Sequence, residues 1–297
     1  MQCLKPITLF HVGKVFYPDG LVVPCGKCFG CRIKKREEWS LRMLHELPYH
    51  KKSVFLTLTY SDENLPDAMS LQKRDLQNFF KRIRKNYSTP IKYFACGEYG
   101  DYTIRPHYHA IVFGLGLNPT DKELVKSCWK NCDWSVRSIA KNSFGLVEAD
   151  SIRYVSQYID KKLSGEEARD FYGDRSPVFC LQSKGLGRRY AEDNKQQIIN
   201  NGYLTHNGSK NSIPRYYINR LGIDTEPLKS IAKDKQCDNV EKTTGIYISP
   251  EELYAFATSE ENLLYITSEK DKREQIGLNL NAKSKLFRRD INPDQHS

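Results

Sequence analysis

The stretch IKYFACGEYGDYTIRPHYHAIVFG, residues 91–114, decides the reading of the fold. IKYFACGE (91–98) and HYHAIVFG (107–114) both read as β-strands, and the connection GDYTIRP is rich in turn formers. An antiparallel pair is the natural arrangement. Side chains two apart on a strand share a face, so His107 and His109 project together and Tyr108 points the other way. If the two strands pair, the Glu98 carboxylate comes to lie beside both imidazoles. Two imidazoles and a carboxylate leave positions for water and phosphate oxygen. That set suits a divalent Lewis acid, magnesium or manganese. Taken alone, the histidines would read as polar residues on an exposed strand face and Glu98 as an ordinary hairpin carboxylate.

Working outward, SVFLTLTY (53–60) alternates β-branched and apolar residues and reads as a strand. SLQKRDLQNFFKRIRKN (70–86) reads as a helix capped by Ser70. Leu76, Phe79, Phe80 and Ile83 form its apolar stripe, and Lys73, Arg74, Lys81, Arg82, Arg84 and Lys85 its basic face. An earlier helix is expected over 32–47, with Ile33, Trp39, Met43, Leu44 and Leu47 inward. Further elements are a helix at 120–131, a strand at 144–149 and a helix at 151–163. This order predicts an α+β fold, a mostly antiparallel central sheet with helices packed on it. The expected organisation is an N-terminal cysteine segment and basic helix (1–50), a main domain (51–221) and a polar C-terminal extension (222–297) with one short helix at 249–259.

RYVSQYIDKK places Tyr154 and Tyr158 at i and i+4 on one helical face, with Lys161 on the same side. A buried aromatic stripe would explain the tyrosines, but Val155 and Ile159 already supply an apolar stripe on a neighbouring face. A phenol, with an unperturbed pKa near 10, is a weak nucleophile. It attacks a phosphodiester only if a metal polarises the phosphate and the leaving 3′ oxygen is stabilised. That requirement couples the tyrosine helix to the histidine strand, with Lys161 as a cation for the phosphate.

The N-terminal run PCGKCFGCRIKKREEW brings Cys25, Cys28 and Cys31 together at zinc-knuckle spacing. A closed structural zinc site needs a fourth ligand, which Cys3 or His11 supplies from the preceding segment. The alternatives are three small core cysteines or an iron–sulfur cluster. Nine cysteines in all, three of them clustered, suit reduced thiols or a metal better than a disulfide framework.

Charge narrows the partner. The chain of 297 residues carries 46 Lys and Arg against 36 Asp and Glu. Residues 1–220 hold 35 basic and 22 acidic side chains, and 221–297 hold 11 and 14, so the first two-thirds carry the whole surplus. With 18 tyrosines and 13 phenylalanines interleaved, this suits a nucleic acid, through phosphate neutralisation and base stacking. No apolar run approaches the ~20 residues of a membrane span, and the first residues do not read as a secretory leader. An intracellular protein without membrane contact is expected.

In this order the motifs resemble the HUH endonuclease superfamily of rolling-circle replication initiators. FLTLTY (55–60) is similar to its first motif, PHYHAIVFG to its histidine–any–histidine second motif, and YVSQYIDKK to its tyrosine motif. The cysteine run and IPRYY (213–217) resemble the initiators of microviruses, and among them gokushoviruses. The resemblance implies an HUH nuclease core of the RRM-like type. It implies Glu98, His107 and His109 as metal ligands, Tyr154 and Tyr158 as nucleophiles, and Lys161 as an aid at the phosphate. The implied activity nicks the double-stranded replicative form at its origin and leaves a 5′-phosphotyrosine link. The 3′-OH then primes synthesis by host polymerase, with host helicase, in the bacterial cytoplasm, and the displaced single strand is rejoined into a circle. One departure is that Tyr158 has Lys161 three residues on, whereas Tyr154 has Gln157; if one tyrosine acts alone, this favours Tyr158. A single-stranded DNA transposase or relaxase would use the same residues, and a zinc-containing nucleic-acid-binding protein would use the tyrosines only for packing.

Overall fold

The structure is a computed structural model that describes residues 3–100, 103–159, 168, 171–206 and 208–290. In chain order the elements are β1 (Ile7–Val12), β2 (Val15–Val23), α1 (Phe29–Glu46), β3 (Ser53–Leu58), α2 (Lys73–Asn86), β4 (Lys92–Tyr99) and β5 (Pro106–Phe113). There follow α3 (Pro119–Cys128), α4 (Arg137–Asn142), β6 (Phe144–Gly145), α5 (Ala149–Gln157), β7 (Phe179–Gln182) and α6 (Arg188–Asp193). The last group is α7 (Lys195–Asn201), β8 (Leu204–His206), β9 (Ser209–Asn211), α8 (Arg215–Leu221), α9 (Glu226–Thr244), α10 (Leu253–Thr258) and α11 (Leu263–Asp290). Two compact units share these elements: Lys35–Asn194, and Met1–Lys34 with Lys195–Ser297.

The first unit is built on a five-stranded antiparallel sheet of order β6-β3-β5-β4-β7. The expected α+β architecture is what the chain adopts. Alternation sorts the strand residues onto two faces. Val54, Leu56, Leu58, Tyr93, Ala95, Tyr108, Ala110 and Val112 pack with Leu76, Phe79, Phe80 and Ile83 of α2 and with Val125, Cys128 and Trp129 of the α3 region. Phe94, Cys96, Ile111 and Phe113 turn to the opposite face and meet Met43 of α1 and Ile152 and Val155 of α5. Helices thus cover both faces of the sheet, with β5 at its centre.

Tyr108 fixes that central strand. Its side chain is fully buried. Its hydroxyl donates to the Gln72 carbonyl (3.1 Å), accepts from the Gln72 amide (2.8 Å) and pairs with the Tyr60 hydroxyl (2.8 Å). The ring lies against Gly97, its partner across β4, where an added Cβ would come within 3.1 Å of Tyr108 and 2.9 Å of Leu71. Only glycine leaves the tyrosine this room.

Several expectations need correction. Ser70 does not cap α2: Gln72 is the N-cap residue, and Ser70 follows a 3₁₀ turn in extended backbone. Its hydroxyl is used elsewhere, accepting from the Ser176 amide at 2.9 Å. The strand expected at 144–149 shrinks to Phe144–Gly145, because α5 begins at Ala149 behind a Glu148/Ser151 capping box. Of the helix expected at 151–163, the described part runs from Ala149 to Gln157 with Tyr158 as its C-cap residue, and 160–163 lie outside the described residues.

The second unit contains two small hairpins and five helices among the described residues. The β1–β2 hairpin turns at Gly13, whose φ of +63° suits a two-residue connection. Many of its apolar residues face outward: Ile7, Phe10, Val12, Val15, Phe16 and Val22 are exposed, while Leu9, Leu21 and Val23 are half-buried. Past residue 222 there are three helices, not one, and Cys237, Val240, Ile248, Leu253 and Tyr265 form a small core among them.

Candidate active site

Glu98 and His107 are direct cross-strand partners on β4 and β5, and His109 lies opposite Cys96 on one side and Thr57 on the other. Register therefore brings the three side chains together. Glu98 Oε1 sits 2.8 Å from His107 Nε2 and 3.1 Å from His109 Nε2. One donor atom from each residue lies within 4.8 Å of the others. Glu98 and His109 are both 6% exposed, so the site is set into the sheet face rather than laid on it.

The remaining ring nitrogens are also held. His109 Nδ1 meets the Thr57 hydroxyl at 3.1 Å, and His107 Nδ1 meets the Arg105 carbonyl at 3.2 Å. Both nitrogens of His107 thus face acceptors, the Arg105 carbonyl and the Glu98 carboxylate. A neutral imidazole has one N–H and can satisfy only one of them. A cation between the two Nε2 atoms and the carboxylate would meet all three donor atoms at once. The donor set fits a divalent ion, with the His107 Nδ1–H bound to a carbonyl behind the ligand, as is usual for ligating histidine.

The tyrosine helix lies on this same face. The Tyr158 ring stacks on His109 (centroids 5.4 Å apart, 10° between planes), and the Tyr154 ring meets His109 edge-on at 5.3 Å. The two tyrosines contact each other at 5.3 Å and 86°. Tyr158 is only 3% exposed, and Tyr154 is half-buried. Burial, then the Glu98 charge and Tyr154, push the Tyr158 phenol well above its ordinary range. Ile152 and Val155 anchor α5 from below, and the Ser40 and Ser156 hydroxyls, 2.6 Å apart, join it to α1. Five of the residues singled out in the sequence converge here: Glu98, His107, His109, Tyr154 and Tyr158. Lys161 falls outside the described residues. Sequence reading missed Thr57 and the Arg105 carbonyl as supports; the first follows from strand register, which no local pattern displays, and the second from the backbone just ahead of β5.

In the second unit Cys3, Cys25, Cys28 and Cys31 form a further group whose sulfurs lie within 4.8 Å of one another. Cys3 takes the fourth place, while the exposed His11 ring packs against Phe16. Burial pushes the Cys28 thiol up, but N–H groups of Cys31 and Leu4 and neighbouring thiols outweigh it and bring it to about 6. Burial and the adjoining cysteines push Cys31 to about 12.

Comparison with known proteins identifies the family. The family of replication-associated proteins of the ORF2 type matches residues 53–163, a span that begins at β3 and includes both histidines and both tyrosines. Replication-associated protein VP4 of Bdellovibrio phage phiMH2K is 32% identical over 242 residues, covering 73% of this chain and 76% of the relative. The chain belongs to the phage replication-associated protein family. Replication-associated protein ORF2 of Spiroplasma virus 4 is 31% identical, covering 74% of this chain and 80% of its own length. Replication-associated protein ORF4 of Chlamydia phage 1 is 27% identical, covering 73% and 56% respectively. The microvirus-type resemblance read from the motifs is thereby supported. No solved structure matches the chain. Among the described residues, no helix is long and apolar enough to cross a membrane.

Proposed function

We propose that this protein initiates rolling-circle replication of a phage genome by nicking origin DNA through a tyrosine nucleophile and later rejoining the displaced strand into a circle. The observation that carries the reading is the contact of one buried ligand ring, His109, with both tyrosine rings beside Glu98 and His107. A magnesium or manganese ion held by Glu98, His107 and His109 supplies Lewis-acid polarisation of the scissile phosphate when bound.

The chain's own residues do the rest. A tyrosine oxygen loses its proton and attacks phosphorus, the bond to the 3′ oxygen breaks, and that oxygen leaves as a hydroxyl. The product is a 5′-phosphotyrosine ester and a free 3′-OH that primes host polymerase. Reversal by a 3′-OH restores the diester, so bond energy is conserved for strand closure. Tyr154 and Tyr158 alternate as the two nucleophiles, and Lys161 offers a cation to the phosphate, as the tyrosine motif suggests. The basic surplus of residues 1–220 gives sequence-independent grip on DNA. The setting is the cytoplasm of the infected bacterium, with host helicase opening the duplex.

The test is incubation with Mn²⁺ and single-stranded origin DNA. A covalent adduct is expected, abolished in the double variant Tyr154→Phe/Tyr158→Phe, with the attached tyrosine read by peptide mass spectrometry. His107→Ala should lower adduct formation by about a thousandfold or more, the equivalent of several kcal/mol of lost transition-state stabilisation. It should leave salt-sensitive DNA binding in place. Adduct formation that persists in the double-tyrosine variant would falsify the assignment. Insertion into a new target instead of circle closure would point to a transposase.

A further inference from the structure

The four cysteines bracket a structural element. Cys3 precedes β1, Cys25 follows β2, Cys28 sits just before α1, and Cys31 lies in its first turn. Cys3 Sγ is 3.6 Å from Cys25 Sγ and 3.7 Å from Cys28 Sγ. A disulfide would bring a pair to about 2.05 Å. Four thiolates around one tetrahedral zinc, each at ~2.3 Å, stand about 3.8 Å apart. The observed separations match the second case. Backbone amides point at the sulfurs as well: Leu4 N–H to Cys28 (3.4 Å), Cys25 N–H to Cys3 (3.3 Å) and Cys28 N–H to Cys25 (3.3 Å). Such donors favour the anionic form of an acceptor.

We infer that Cys3, Cys25, Cys28 and Cys31 bind one structural zinc ion that closes the β1–β2 hairpin at its base and fastens it to the start of α1. The hairpin shows why a fastening is needed. Among the described residues its strands pair only with each other, and Ile7, Phe10, Val12, Val15, Phe16 and Val22 are between 43% and 58% exposed. A lone two-stranded hairpin with so little burial is marginal in water. Small elements without a core are held by metals or disulfides. With four protein ligands the site has no open coordination position, which separates it from catalytic chemistry. The inference is independent of the nuclease reading, since none of the four cysteines lies in the sheet unit.

The experiment is metal analysis of the full chain purified without added metal or chelator. One zinc per chain is expected in the native protein and equally in His107→Ala/His109→Ala, which lacks two of the other ligands. Cys28→Ser/Cys31→Ser should lose it. Cobalt-substituted native protein should show thiolate-to-cobalt charge transfer and tetrahedral d–d bands, a readout that does not require the cysteine variant to fold. Hydrogen exchange should show the amides of residues 7–23 losing protection when zinc is removed, while those of β3–β5 keep theirs. Under half an equivalent of zinc, iron in its place, zinc lost with the histidines, or hairpin protection unchanged on zinc removal would each overturn the proposal.

Discussion

The two candidate metal sites are held in opposite ways. Glu98, His107 and His109 project from neighbouring strands inside a five-stranded sheet, with apolar layers on both faces and a second hydrogen-bond partner for each ring. Cys3 and Cys25 stand at the two ends of a small hairpin that leaves many apolar side chains exposed, and Cys28 and Cys31 at the start of α1. The first arrangement places its donors through the fold, so an ion would arrive at positions already set. In the second, an ion bound by the four sulfurs would itself tie the hairpin ends to the start of α1, so that ion and local fold would depend on each other. A catalytic site gains from the first arrangement because its geometry must survive substrate and product. A fastening has no such demand.

This contrast can be broken most severely through the core. Phe79→Ala removes a fully buried ring beneath the sheet and should cost about 3–5 kcal/mol. Urea unfolding should show the loss, and Mn²⁺ affinity should fall with it while zinc content stays constant. Loss of zinc in that variant would mean that the cysteine group is not independent of the sheet.

A smaller effect sharpens the claim for the histidines. Thr57→Val keeps shape but removes the hydroxyl facing His109 Nδ1. Mn²⁺ affinity by calorimetry should drop by about 10–100-fold, with the unfolding midpoint nearly unchanged. Equal affinity would show that packing alone aims the ring.

The smallest effect concerns the polar scaffold at the edge of the same unit. Glu46 is buried and accepts from His50 (2.7 Å), Lys92 (2.8 Å) and the Gly187 amide (2.7 Å). Burial raises its carboxyl pKa, but these partners outweigh it and hold the pKa below the ordinary 4.5. A depressed carboxylate contributes stability that is complete above the unfolded pKa and lost as pH falls through the folded one. Glu46→Gln should therefore cost about 1–2 kcal/mol near neutrality. The gap from the native protein should narrow as pH drops below 4.5, measured by urea midpoints across the acid range. A gap that stays constant with pH would show that the ionised carboxylate is not its source.

What can be read from the sequence follows from which forces leave a local trace. The pairing of 91–98 with 107–114 is legible because alternation and a turn-rich connection coincide, and with it the meeting of Glu98 and the histidines. Leu76, Phe79, Phe80 and Ile83 announce α2 by their spacing. The β1–β2 hairpin leaves no such trace, since its apolar residues are not sorted into a buried and an exposed face. Helices α9 and α11 escape a sequence reading because polar residues surround them, without the one-sided stripe that marks a packed helix. Ser70 resembles a cap but spends its hydroxyl on a residue more than a hundred positions away. Thr57 looks like any strand threonine until register places it against His109.

Tyr108 separates two properties that a histidine–any–histidine motif runs together. The histidines carry the candidate donor atoms, whereas the residue between them, socketed against Gly97 and bonded to Gln72, fixes where those donors stand. A slip of two residues along β5 would keep every side chain on its proper face, yet it would pull the tyrosine from its socket and leave the Gln72 amide without its present partner. A substitution at 107 or 109 that leaves Tyr108 in its socket should therefore keep the strand register, and with it the place of those side chains, unchanged.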